Sequence, residues 1–379
     1  MIKYFRPFII IGLILLFAGN IWADDPQPNF ITTEKPGKII QDIRVSKDSF
    51  NPSKGEEWGI YYQLNSKAKV NISLYDPDQE LVAVLINQKP QGKGKKSVLW
   101  DGKDIDGQIV PDEAYFFTIE AVDQKGNMEI YDPTIFSGGE EDDITQGSID
   151  SENGTINYRL PEMGRVSIRL GISGGPLLRT LVDWKPRLTG EVTEYWNGKD
   201  QDNLFDLQSH PRFKMLITYF SLPENSIITY GNKKLGYFEY KTGQKNRPKK
   251  RDYPGIEIGE REISKHYAMP RLMDRSPRVV MTFPKSVRLE EDNLPVLKGK
   301  TIVHVELDKE SKKYFQEMKF EIVFFLDGEF YAEEETGYSP YNWIWDTSQI
   351  KEGTYILTVN LASFKDQVGL LSKKVKIVR

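Results

Sequence analysis

Hydrophobic and polar residues alternate with a period of two along much of the chain, from Val70-Asn71-Ile72-Ser73-Leu74-Tyr75 to Ile302-Val303-His304-Val305-Glu306-Leu307. That period puts one face of an extended strand in a core and the other in water. Other segments, such as 81–86 and Ile322-Val323-Phe324-Phe325-Leu326, are short apolar runs of strand length. Turn-forming pairs separate them: Asn51-Pro52, Asp76-Pro77, Asp101-Gly102, Asp106-Gly107 and Asp327-Gly328. Many short strands at regular spacing with turns between them predict an all-β chain of immunoglobulin-like sandwiches.

The pattern repeats. Sliding the chain by the distance from Trp100 to Trp196 brings Ile60 onto Ile156, Tyr62 onto Tyr158 and Leu64 onto Leu160. Val70, Ile72 and Leu74 fall on Val166, Ile168 and Leu170, and Leu81 and Leu85 on Leu177 and Leu181. A fixed offset with matched apolar positions marks an internal duplication. The spacing predicts one sandwich over 37–132 and its duplicate over 133–232, where the last strand needs a two-residue insertion. A third sandwich is expected over 277–379, related but with a different full strand order. Between them, 233–276 is basic, aromatic and proline-broken. It is expected to be a connector with one or two short strands, packing in part against the second sandwich and offering Lys249, Lys250 and Arg251 to an acidic partner or surface.

The repeated signature is Trp100-Asp101-Gly102-Lys103-Asp104, echoed by Trp196-Asn197-Gly198-Lys199-Asp200 and more distantly by Trp345-Asp346. A tryptophan at a strand end plugs a core, and Asp-Gly makes a tight turn whose carboxylate accepts backbone N–H groups. A structural role is expected for these residues. Two other readings compete with it. Asp104-Ile105-Asp106-Gly107 is half of a calcium loop but lacks the further oxygen ligands and the distal Glu. A sugar platform on Trp100 or Trp196 requires an exposed ring.

Phe50-Asn51-Pro52, the 62–64 and 70–76 strands, the Trp100 motif through Val110-Pro111, and Tyr115 with Ile119 resemble the FlgD-type immunoglobulin-like domain over about 50–121. By duplication, 146–219 resembles it too, with Asn197 in place of Asp101. The resemblance implies a sandwich fold and a structural motif, with no catalytic residue carried over. The third unit resembles bacterial Ig-like domains through Leu326-Asp327-Gly328, Pro340-Tyr341, Trp345-Asp346-Thr347-Ser348 and Gly353-Thr354-Tyr355. FlgD-type domains also occur in flagellar hook-capping proteins. Those leave through the flagellar apparatus, whereas this chain opens as a secretory signal peptide: basic Lys3 and Arg6, an apolar run at 8–17 and Ala23 before Asp24-Asp25. Cleavage is expected after residue 23, leaving a flexible or extended leader, a linker, over 24–36 and no transmembrane helix in the mature chain.

Composition narrows the chemistry. There is no cysteine, which excludes disulfides, thiol catalysis and cysteine-held metals. The formal charge of −4 becomes two units more acidic without Lys3 and Arg6, which argues against nucleic acid as partner. His210, His266 and His304 have no companions at metal-ligand spacing, and neither a nucleophile elbow nor a phosphate loop occurs. Gly171-Ile172-Ser173-Gly174-Gly175 aligns with a hairpin turn. Glu140-Glu141-Asp142-Asp143 and Glu333-Glu334-Glu335 read as solvated loops. The expectation is an exported, non-enzymatic structural, scaffold or adhesion protein of the cell envelope, without cofactor or metal, whose partner is an envelope protein or a glycan. The alternatives are a carbohydrate-binding protein and an enzyme with an unrecognised carboxylate site.

Overall fold

Aromatic and β-branched residues at alternating positions build strands in the first unit: β1 (Ile40–Val45), β2 (Ser49–Phe50), β3 (Trp58–Leu64), β4 (Ala68–Tyr75), β5 (Leu81–Gln91), β6 (Gly94–Trp100), β7 (Ala114–Asp123) and β8 (Met128–Tyr131). The computed structural model describes residues 37–244, 247–248, 274–284, 286–288, 294–364 and 366–379. Sheet β1-β3-β6 faces a larger sheet in which β5, β4 and β7 run side by side and β8 lies on the outer edge of β7. The inward faces enclose a core that includes Trp58, Ile60, Val70, Ile72, Trp100 and Phe117.

The second unit is built from β9 (Glu141–Asp143), β10 (Ser148–Asp150), β11 (Thr155–Leu160), β12 (Gly164–Ile172), β13 (Leu177–Arg187), β14 (Gly190–Tyr195) and β15 (Phe213–Ser221). Its sheets are β10-β11-β14 and β13-β12-β15-β9 around a separate core. The offset between Trp100 and Trp196 also relates unusual backbone features. Gln88 and Trp184 both have φ 47°, and Gly94 and Gly190 have φ 113° and 103°. The β4–β5 and β12–β13 ladders carry register shifts at matching residues, Val70/Ile72 and Val166/Ile168.

One strand departs from the expected boundaries. After β15 the chain enters β16 (Ile227–Thr229), which joins the first unit's sheet, antiparallel to β7 and parallel to β2. Ile227 is fully buried in the first core. The edge of β7 is therefore shared: β8 pairs with 119–122 and β16 with 114–115. The second sandwich interrupts the final edge strand of the first. The limit drawn at 232 is corrected accordingly, because pairing with the open end of β7 is what places 227–229.

The connector also differs from expectation. Its described part forms helix α1 (Tyr237–Gly243), not strands, and packs on the first unit, not the second. Tyr237, Tyr240 and Lys241 stand at helical spacing and are all buried on one face.

The third unit contains β17 (Val279–Thr282), β18 (Val287–Arg288), β19 (Pro295–Lys298), β20 (Lys300–Leu307), α2 (Lys309–Phe315), β21 (Lys319–Leu326), β22 (Glu329–Tyr338), β23 (Tyr341–Asp346), β24 (Gly353–Ser363) and β25 (Val368–Val378). Its full strand order differs from the first unit's, as expected, by the extra strand β18 beyond β19 and by a single β25 where β8 and β16 share the edge of β7, but the remaining strands correspond. Sheet β17-β20-β23 corresponds to β1-β3-β6, and β22-β21-β24-β25 to β5-β4-β7-β8. Helix α2, between β20 and β21, is an addition that obscures the match in the sequence. Here β25 pairs with the whole of β24, from Gly353↔Ile377 to Ala362↔Val368. β19 lies parallel to β25, as β2 does to β16.

The units are packed together. Between the first and second, the buried Arg165 Nε lies 3.4 Å from Glu113 Oε1, and Ala114, Leu222 and Ile228 form a small apolar cluster. Between the second and third, Asn360 bonds both ways with the Leu177 backbone, its Oδ1 accepting at 2.8 Å and its Nδ2 donating at 2.9 Å. Leu177, Val368 and Leu370 cluster beside it, and Asp202 Oδ2 accepts from the Ser372 N–H at 2.7 Å.

Candidate functional site

The motif loop closes one end of the first sandwich. Trp100 ends β6 almost fully buried, packed edge-on against Phe50, Trp58 and Tyr115. Its Nε1–H donates to the Lys103 carbonyl at 2.8 Å, so the one polar atom of the plug is satisfied within its own loop. Gly102 has φ 75°, and a Cβ there would sit 2.2 Å from Pro52 Cβ, so the position accepts no other residue without rebuilding the turn. Asp101 accepts from the Lys103 N–H at 3.1 Å. Asp104 Oδ1 accepts from the N–H groups of Asp106 and Gln108, both at 2.9 Å.

The second motif repeats this geometry. Trp196 is buried, donates to the Lys199 carbonyl at 2.8 Å and stacks on Phe213. Gly198 has φ 76°, and Asp200 Oδ1 accepts from Leu204 and Phe205. In the third unit Trp345 is also buried, stacked on Trp343 with Tyr331 edge-on. Its Nε1–H has no partner, because Asp346-Thr347-Ser348 turns without the Gly-Lys step that offers a carbonyl. Asp346 instead accepts from the Ser348 N–H at 3.0 Å. None of the three rings presents a face to a sugar.

A second loop on the same end mirrors the first. Asp76 Oδ1 accepts from the N–H groups of Asp78 and Glu80, both at 2.9 Å. The two loops carry Asp76, Asp78, Glu80, Asp104 and Asp106, and α1 closes over them. Lys241 Nζ lies 2.7 Å from Asp76, 2.7 Å from Glu80 and 3.4 Å from Asp78, with its side chain 4% exposed. Tyr237 Oη donates to Asp78 at 2.7 Å and Tyr240 Oη to Asp104 at 3.0 Å. Arg247 bridges Asp104 and Asp106 at 2.9 and 2.8 Å.

Burial pushes the Asp76 carboxyl up to about 6, against the pull of Lys241. Burial by itself would lower the Lys241 ammonium, but Asp76 and Glu80 raise it overall. Burial beside these carboxylates also raises the Tyr237 and Tyr240 hydroxyls. Asp76, Asp78 and Glu80 all lie within 3.4 Å of an ammonium that the chain itself supplies. Among the described residues, no group of three or more His, Asp or Glu is arranged to hold a metal ion.

The sequence pointed to Lys249, Lys250 and Arg251, which lie outside the described residues. It did not single out Lys241 and Arg247, which stand shortly before them in the same basic stretch. The signal was present in the helical spacing of Tyr237, Tyr240 and Lys241. His210 Nδ1 accepts from the Arg212 N–H, and His304 Nδ1 pairs with Asn342 Oδ1 at 2.7 Å; His266 lies outside the described residues. The acidic runs are not loops: 141–143 forms β9 and 333–335 lies within β22. Both are edge strands, where charge is tolerated because one side faces water. Among the described residues no helix is long and apolar enough to cross a membrane.

The profile of the FlgD Ig-like domain matches residues 47–125. No curated protein matches the chain. Among solved structures, FlgD from P. aeruginosa is similar at 27% identity over 25% of this chain and 70% of that one, with a TM-score of 0.20. The fibronectin(III)-like modules of Clostridium thermocellum CbhA are 11% identical over 89% of this chain and 93% of theirs, with a TM-score of 0.19. A bacterial ice-binding adhesin is 10% identical over 90% of this chain and 99% of that one, also with a TM-score of 0.19.

Proposed function

We propose that this chain is an exported, non-enzymatic scaffold or adhesion protein of the bacterial envelope, which holds three immunoglobulin-like sandwiches in a fixed array and binds an envelope protein or glycan through them. The observation that carries this reading is the pair of packed junctions, Arg165–Glu113 with its apolar cluster and Asn360–Leu177 with its own. Buried polar contacts at both junctions fix the spacing of binding surfaces, which a flexible string of modules does not do. In this reading the first two sandwiches are tandem FlgD-type domains, the second inserted into the first, and the third is a bacterial Ig-like relative. Residues 1–23 act as a cleaved export signal and 24–36 as a leader.

Cross-linking in the native envelope, with mass spectrometry of the recovered chain, tests this. A mature N-terminus at Asp24 and adducts to an envelope component are expected. Full-length chain confined to the cytoplasm would overturn the reading. One observation favours glycan as the partner: Tyr331 is 38% exposed and stands edge-on to Trp343 at an open sandwich edge. Binding on a glycan array that is lost in Tyr331→Ala would establish it.

A further inference from the structure

The two related sandwiches differ at one position beside the motif loop. In the second, Arg179 of β13 lies along the loop, and its Nη1 donates to Asn197 Oδ1 at 2.9 Å, the Lys199 carbonyl at 3.1 Å and the Asp200 carbonyl at 3.2 Å. The corresponding residue of the first sandwich is Ala83. The ladders fix this equivalence, with Leu74↔Ala83 in one and Leu170↔Arg179 in the other. The loop is anchored to the adjacent residue alike in both, through Ile105 N–H to the Val82 carbonyl at 2.8 Å and Gln201 N–H to the Leu178 carbonyl at 3.0 Å. The first sandwich therefore keeps the acceptor set, Lys103 O, Asp104 O and the side chain of residue 101, but no guanidinium comes from its own β5. In the third, Tyr331 of the corresponding edge strand packs against Trp345.

An open cleft of about 600 Å³ lies at this place in the first sandwich, lined among others by Ala83, Leu85, Leu99, Trp100, Asp101 and Ile105. We propose that it is the docking site for an arginine side chain presented by a partner polypeptide. The chemistry of the lining matches that occupant. Asp101 stands where the second sandwich has the neutral Asn197, so a full negative charge meets the incoming cation, and Glu57 also lines the cleft. Lys103 O already accepts from Trp100 Nε1, but Lys199 O accepts from both Trp196 and Arg179, so the carbonyl has room for a second donor. Asp101 now pairs with the Lys103 Nζ at 2.6 Å, and both side chains are nearly half exposed. An exposed pair of this kind contributes little and yields to a planar, bidentate donor. Leu99, Val84 and Ile105 are 54%, 44% and 52% exposed and offer apolar walls to the arginine stem and its neighbours.

This proposal rests on reading the chain as a binding array, and the two fail separately. The test follows the Leu, Ile and Val methyl signals of the labelled full chain during titration with Nα-acetyl-arginine N-methylamide and with its lysine and citrulline counterparts. The arginine probe is expected to shift Leu99 and Ile105 saturably, and about tenfold more tightly than either control, a difference of about 1.4 kcal/mol. Ala83→Arg, which fills the cleft as Arg179 fills its own, is expected to abolish the shifts. Arg179→Ala is expected to create a second responsive site reported by Leu181, and it keeps the test decisive if Ala83→Arg does not fold. Equal response to all three probes, no response at Leu99 and Ile105, or undiminished binding by folded Ala83→Arg would overturn the site. None of these results bears on whether the chain is exported, which the mature N-terminus decides.

Discussion

Single residues in this protein do their work through satisfied polar atoms in apolar surroundings. Trp100 and Trp196 each bury a large ring and turn their one N–H to a carbonyl three residues on. Truncating either to alanine leaves a ring-sized cavity, and a loss of about 3–5 kcal/mol is expected in urea denaturation of each variant. Trp345 leaves its N–H without a partner, so replacing it with Phe is expected to cost less than the same change at Trp100. Asp76 sets a pH dependence. Its native carboxyl titrates near 6 against a usual 3.8, so the folded state binds this proton more readily than the unfolded chain does. The stability it contributes is full below pH 4 and is lost as pH rises through 6. The stability of wild type relative to Asp76→Asn should fall over that window by on the order of 3 kcal/mol and be flat above and below it. Denaturation curves of both proteins from pH 3.5 to 8 check this.

Among the elements, α1 and β16 are the least expected. Helix α1 has only seven residues, too short to persist by itself in water. It is held by what it covers: the ammonium of Lys241 among three carboxylates, and the hydroxyls of Tyr237 and Tyr240 on two more contacts of the same loops. Replacing Lys241 by Met keeps the stem but leaves buried carboxylates uncompensated, and a loss of about 3–5 kcal/mol is expected. Tyr240→Phe removes one bond to a carboxylate that Arg247 still contacts, and should cost about 1–2 kcal/mol. Hydrogen exchange of the α1 amides in both variants separates local release of the helix from global unfolding. Strand β16 completes the sheet in the same dependent way, since its partner surfaces β2 and β7 both belong to a unit that ended, in sequence, far upstream.

At the scale of the whole molecule, insertion makes the first two sandwiches depend on each other. Two chain crossings join them, one before β9 and one between β15 and β16. A single linker permits twisting about itself, and a second crossing opposes it. A fragment covering 37–132 lacks Ile227 and α1, so it is expected to melt well below a fragment covering 37–248. Calorimetry of the two fragments checks this, and equal melting temperatures would show that β16 adds nothing. The third sandwich is attached differently, by packing of β24 and β25 against the start of β13 at Leu177. Asn360→Ala removes both bonds to the Leu177 backbone while leaving the third core intact. Faster exchange of the Leu177 amide with unchanged exchange in β21 and β24 is expected.

The sequence by itself determined the all-β class and most of the strands. These depend on local pattern: alternation selects a strand face, and Asp-Gly pairs break one strand from the next. Trp345 is buried like Trp100 and Trp196, and it lies near the end of β23. What the sequence did not show was which sheet each strand joins. The three-residue β16 lies next to the second sandwich in the chain, but it pairs with the first because β7 offers an unfilled ladder and the first core an unfilled place for Ile227. The helical spacing in 237–241 was likewise visible, but its partners Asp76, Asp78 and Asp104 are more than a hundred residues away, and only the closed sandwich brings them to one end. The contrast between Ala83 and Arg179 can be found by alignment alone. That it leaves a cleft rimmed by three acceptors was decided by the tertiary structure, because backbone carbonyls gain direction only when the chain has folded.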